Sequence, residues 1–174
     1  MKYIESPTDF KPGRHPRPKS VFLAGGITGC PNWQQEIVHL FDETDMILLN
    51  PRRENFPIDD PQAAREQITW EYHHLRRADA ILFWFPRETL CPIVLYELGA
   101  WSMTSGVLAV RKPIFVGVHP EYKRRQDVEI QTRLERPGVR IAYRLPDLAL
   151  QVRMWAVEAV YQQSNEEYPE ENHG

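Results

Sequence analysis

Apolar residues come in short dense runs, separated by segments where they recur every three or four positions. The runs are Ser20–Ala24 (SVFLA), Met46–Leu49 (MILL), Ala80–Phe85 (AILFWF), Pro113–Val118 (PIFVGV) and the weaker Val139–Tyr143 (VRIAY). Their length and their glycine, proline or polar flanks predict strands. Between them, Pro31–Glu43 sets Trp33, Ile37, Leu40 and Phe41 at helical spacing, with a proline near its start. Gln62–Arg77 reads as a helix with a polar face. Pro92–Ser105 reads as a helix with Pro92 in its first turn, Thr89 or Cys91 as cap and Gly106 at its end. Glu121–Arg136 is strongly charged, and its pattern allows a short helix or a loop. Pro146–Gln163 is the closing helix, with Leu148, Val152, Trp155 and Ala159 on one face.

Strands alternating with helices imply a parallel sheet covered on both faces, and near-continuous apolar strands fit that burial. The expected fold is α/β: a flavodoxin-like, doubly wound domain over residues 20–164, with a five-stranded parallel sheet. Residues 1–19, with four prolines, are expected to be an irregular arm, and the acidic tail 165–174 to be disordered. In such folds ligands bind outside the carboxyl ends of the strands, at the switch in strand order. The loops to search are therefore GGITGC, NPRRENFPID, PRETLC and HPEYKRR.

Composition narrows the classes. A chain of 174 residues is long enough for one domain with a sizeable core. A net charge of −3 argues against a dedicated binder of nucleic-acid polymers. No apolar run reaches the ~20 residues of a membrane helix, so no membrane partner is expected. The N-terminal stretch MKYIESPTDFKPGRHPRPKS is polar rather than signal-like. Cys30 and Cys91 form neither a disulfide framework nor a CxxC motif, so a cytoplasmic setting is expected.

Several chemistries find no motif. Gly25, Gly26 and Gly29 follow a strand as GGxxG, which is neither a dinucleotide fingerprint nor a P-loop. The loop serves either as a tight turn or, with its backbone close to a ligand, as a binding element. His73 and His74 are adjacent and point apart on a helix; with no HExxH or His/Cys cluster, no metal or other cofactor is expected. No GxSxG occurs, and Cys91, without a nearby histidine, reads as a packing or substrate-contact residue. Arg52 and Arg53 suit a phosphate or carboxylate, or equally an ion pair with Glu54, Asp59 or Asp60. Asp79 reads as a turn or cap residue. Glu71 (TWEYHH) and Glu97 (LYELGAW) each sit among aromatics, where a carboxylate pays desolvation unless paired or employed. An ion pair of Glu97 with Arg87 or Arg111 competes with a catalytic role.

The strand AILFWFP, a short loop, a helix with YELGAW and the strand PIFVGV together resemble the nucleoside 2-deoxyribosyltransferases and their relatives, in a divergent branch. VFLAGGIT and the NPRR loop extend the resemblance over about residues 20–145. It implies that Glu97 is the nucleophile and that Glu71, on the preceding helix, positions or protonates the nucleobase. It also implies that Gly25, Gly26 and Ile27 line the site, and that a neighbouring subunit completes it through Asp127. Members of the family carry a sugar-holding aspartate just before the ELG helix. Here that stretch is Cys91-Pro92-Ile93, which leaves Glu88 and Cys91 as the candidate contacts.

The implied reaction is N-glycosidic cleavage and transfer of 2-deoxyribose between nucleobases through a glycosyl-glutamate. Its partners would be a nucleoside or nucleotide, a free nucleobase and further copies of the chain. With water as acceptor the chain would be a hydrolase of nucleosides or of nucleoside 5′-monophosphates held by Arg52 and Arg53. A non-catalytic nucleotide-sensing module would use the same cleft.

Overall fold

The structure is a computed structural model that describes residues 1–14, 17–103 and 111–167. Six strands form one sheet: β1 (Lys2–Glu5), β2 (Ser20–Gly25), β3 (Ile47–Asn50), β4 (Ala80–Phe85), β5 (Ile114–Val118) and β6 (Ile141–Ala142). Their order is β1-β3-β2-β4-β5-β6 and every pairing is parallel. The helices are α1 (Trp33–His39), α2 (Pro61–Arg77), α3 (Pro92–Ser102), α4 (Arg125–Glu135) and α5 (Leu145–Glu167).

Strand alternation builds two cores. In β4, Ala80, Leu82 and Trp84 pack with Trp33 and Ile37 of α1 and Leu148 and Val152 of α5. Ile81, Phe83 and Phe85 point the other way, to Trp70 of α2, Val94 and Leu98 of α3 and Val128 of α4. Because both faces of β4 are covered, all six of its residues are buried, which is why it reads as an unbroken apolar run.

Two expectations need correction. The sheet has six strands rather than five, because Lys2–Glu5 of the supposed irregular arm pairs in parallel with β3. The strand escaped notice because it lies at the sheet's edge and only Ile4 of its four residues is buried, so no apolar run marks it. At the other end α5 continues to Glu167, so residues 165–167 of the supposed disordered tail are helical. Residues 168–174, and the predicted helix end at Ser105 and Gly106, lie outside the described residues. Glu121–Arg136 resolves into α4, flanked by turns.

Local chemistry sets the ends of α2. The Asp60 side chain accepts from Gln62 N–H at 2.9 Å, with Pro61 in the first turn. At the far end Lys112 Nζ donates to the carbonyls of Leu75, Arg76 and Ala78 at 2.6, 2.9 and 2.6 Å. A cation is favoured there by the helix dipole. The chain passes from β2 through α1 to β3 on one side of β2, then returns across the sheet to β4 on the other side. The direction of winding therefore reverses between β2 and β4, and a crevice opens between their carboxyl-end loops.

Candidate active site

A cleft of about 250 Å³ occupies that crevice. Its walls include Gly25, Gly26 and Ile27 from the loop after β2, Cys91 at the start of α3, Glu71 of α2 and Glu97 of α3. Glu71 and Glu97 are 26 positions apart in sequence and are brought together because α2 and α3 flank β4 on the same face.

The glycines satisfy a packing need and a ligand-facing one together. A Cβ on Gly25 would fall 2.3 Å from the Trp33 ring and 2.7 Å from the Trp84 carbonyl oxygen. One on Gly26 would fall 2.8 Å from Pro86 and Thr89 and 2.9 Å from Cys91 Sγ. The loops after β2 and β4 touch, and only residues without side chains let them do so. The Gly26 carbonyl is held by Trp33 Nε1–H at 2.8 Å.

Glu97 is partly buried and has no hydrogen-bond or ion-pair partner among the described residues. Neither suggested cation meets it. Arg87 pairs with Glu88 and Glu121, and Arg111 donates to the Glu135 carbonyl. Burial, reinforced by the negative charge of Glu71, pushes the Glu97 carboxyl up to about 8. Burial raises Glu71 as well, offset in part by a hydrogen bond from Gln67 Nε2 to Oε1 at 2.8 Å. Two neighbouring carboxyls in a poorly solvated cleft resist joint ionisation.

Cys91 caps α3 in the left-handed region, with φ 47° and ψ 55°. That backbone is costly for a residue with a Cβ, and it turns the chain sharply into the helix. Sγ–H points to the Thr89 carbonyl at 3.5 Å. Burial, with Cys30 nearby, pushes the thiol up to about 12, so it is neutral at physiological pH and offers the cleft a contact rather than a nucleophile.

The other sequence-derived candidates lie elsewhere. Arg52 reaches back to the carbonyls of Pro31 and Cys30 at 2.9 and 3.2 Å and to Gln34 Oε1 at 3.2 Å, bracing the loop before α1. Arg53 pairs with Glu66 at 3.2 Å and lies over Phe56. Both arginines line a second cavity of about 600 Å³, which shares Ile27 with the cleft. Glu88 is paired with Arg87 and is not part of the cleft wall. Asp127 pairs with Arg124 and lines a groove between α3 and α4, behind the helix that carries Glu97. His74 is fully internal: its ring stacks on Trp70 and accepts from Phe10 N–H at 2.9 Å, so it is a packing histidine. Among the described residues no three His, Cys, Asp or Glu side chains gather as a metal-binding group, and no helix is long and apolar enough to cross a membrane.

In a doubly wound parallel sheet the switch point is where a small molecule binds, and here two carboxyls, Glu71 and Glu97, line that crevice. The chain belongs to the nucleoside 2-deoxyribosyltransferase like family, whose model matches residues 18–114. The match includes Gly25, Gly26, Glu71, Cys91 and Glu97 and stops before Asp127. No curated protein matches the chain.

Proposed function

We propose that the chain cleaves the N-glycosidic bond of a 2′-deoxynucleoside and transfers the sugar to another nucleobase, with Glu97 as nucleophile. The observation that carries this is a carboxyl in a cleft wall, with no cation partner among the described residues, beside a second carboxyl. A Glu97 oxygen bonds to C1′ as the bond from C1′ to the base nitrogen breaks. The electron pair leaves with the base, which takes a proton from Glu71. The second base then attacks C1′, the ester breaks, Glu97 is released as carboxylate and the proton returns to Glu71. Two inversions at one carbon retain its configuration. In this reaction Glu71 has to hold a proton while Glu97 is ionised, and cationic charge developing on the sugar favours the ionised Glu97.

Gly25, Gly26 and Ile27 would contact the substrate through backbone, and Cys91 through its neutral thiol. A 5′-phosphate would extend past Ile27 to Arg53, because Arg52 already serves the loop. The cleft is slightly smaller than the ~300–1,000 Å³ usual for small-molecule sites. Its surroundings expose Ile93 and Tyr96 of α3 and Ile68 and Tyr72 of α2. Both features favour a second copy closing the site, with Asp127 supplied across the interface. Cytoplasmic localisation belongs to the same reading.

The test is base exchange between deoxyadenosine and cytosine, followed by chromatography. Wild type should form deoxycytidine, and Glu97→Gln should lose at least ~10³-fold in rate. A 2-fluoro-2-deoxyribosyl adduct should appear on Glu97 by mass spectrometry. Release of free base without exchange would point to hydrolysis. Survival of activity in Glu97→Gln would exclude the assigned nucleophile, and nucleotide binding without turnover would favour a sensing module.

A further inference from the structure

We propose that Gln67 is a positioning residue for Glu71, held by the N-terminal arm through Ser6, and that it decides which Glu71 oxygen carries the proton. This rests on the reading of Glu71 as the proton donor. Ser6 directly follows β1 and is buried, and its N–H extends the ladder to β3 by donating to the Asn50 carbonyl at 3.0 Å. Its hydroxyl lies 2.7 Å from Gln67 Oε1. Gln67 Nε2 lies 2.7 Å from the Pro51 carbonyl oxygen and 2.8 Å from Glu71 Oε1.

These contacts orient the amide without ambiguity. A carbonyl oxygen only accepts, so the Gln67 atom facing Pro51 has to be the nitrogen. The amide oxygen then faces Ser6, whose hydroxyl donates. The second Nε2 proton goes to Glu71, one helical turn further along α2 and on the same face. Glu71 Oε1 is thereby committed to accepting, and the proton of neutral Glu71 falls on Oε2, which has no protein partner among the described residues. The titratable groups lining the cleft with Glu71 are Glu97 and Cys91 from α3. The arm and the loop after β3 bring only Ser6 and the Pro51 carbonyl, both uncharged.

The amide N–H favours the ionised form of Glu71, so removing it should make this carboxyl less acidic. The variants are Gln67→Met, close in volume but without donors, and Ser6→Ala, which removes only the distant hydroxyl. In ¹³C carboxyl titration of the free protein, the Glu71 midpoint should move to higher pH in Gln67→Met, and less far in Ser6→Ala. In the exchange assay, kcat of Gln67→Met should fall about tenfold with KM within about twofold, and the alkaline limb of the kcat profile should move to higher pH. An unmoved midpoint and limb would overturn the proposal, even with kcat reduced, because loss of folded protein lowers kcat without shifting either. If wild type neither exchanges nor releases base, the proposed function fails, while the titration still decides whether Gln67 governs Glu71.

Discussion

Glu71, within α2, and Asp79, in the link between α2 and β4, lie eight positions apart and are treated in opposite ways. At the amino end of the sheet, Asp79 accepts from the two terminal guanidinium nitrogens of Arg17 at 2.7 Å and from the N–H and hydroxyl of Ser20 at 2.7 Å. Those partners outweigh its burial and hold the carboxyl below the usual range. At the carboxyl end, Glu71 and Glu97 face each other across a cleft, no cation pairs with either among the described residues, and both are pushed up. One end uses its charge to tie the chain before β2 onto the start of β4. The other carries an electrostatic cost, and a cationic transition state is what would relieve it.

On that contrast, changes at the amino end cost stability and leave turnover alone, while changes at the cleft cost turnover and leave stability equal or higher. Asp79→Ala strands a poorly exposed Arg17 and should cost about 3 kcal/mol in urea unfolding, with kcat per folded molecule unchanged. A fall in kcat per folded molecule would break the division.

Glu97→Gln should stabilise the protein while abolishing turnover, and the gain should depend on pH. The folded carboxyl is raised to about 8 from an ordinary value of 4.5. The folded protein thus holds a proton that the unfolded chain has released between those values, and wild type loses stability as pH rises through that window. The amide has no proton to release, so the melting temperatures of variant and wild type should match near pH 4 and diverge by pH 8. After discounting for partial exposure, the difference should be about 1 kcal/mol. Asp79 works in the opposite sense: its folded value is lowered, so its contribution is present at neutral pH and lost on acidification through the carboxylate range.

Lys112→Met should have the smallest effect. It removes three hydrogen bonds to the last carbonyls of α2 but also relieves the burial that pushes the amine down to about 8. A net loss of about 1 kcal/mol in urea unfolding, with kcat unchanged, is expected.

Glu97 could be picked out before any fold was known, because it is a lone anion on an otherwise apolar stretch, whereas Glu71, among aromatics on a helix with a polar face, owed its role to the family resemblance. Gln67 could not, since a glutamine on the polar face of a helix has no sequence signature of its partners. Arg52 and Arg53 stood out for their position in a carboxyl-end loop. Three of Arg52's donors nevertheless go to backbone and to Gln34, which only the approach of the β3 loop to the start of α1 reveals. Asp79, read as a turn or cap residue, is the centre of an ion pair with an arginine 62 positions away.

Sequence alone determined the alternation of strand and helix, the parallel sheet it requires, the loops at the carboxyl ends and the glutamates worth testing. Those follow from local periodicity and from the cost of burying charge, both of which act over short stretches of chain. Tertiary structure decided the rest: that the N-terminal residues supply a sixth strand, that Glu71 and Glu97 share one cleft without a cation among the described residues, and that Ser6 reaches Gln67 across 61 positions. Such contacts depend on where the chain returns to itself. A hydrogen bond is set by a few tenths of an ångström between atoms whose nearness no local pattern records.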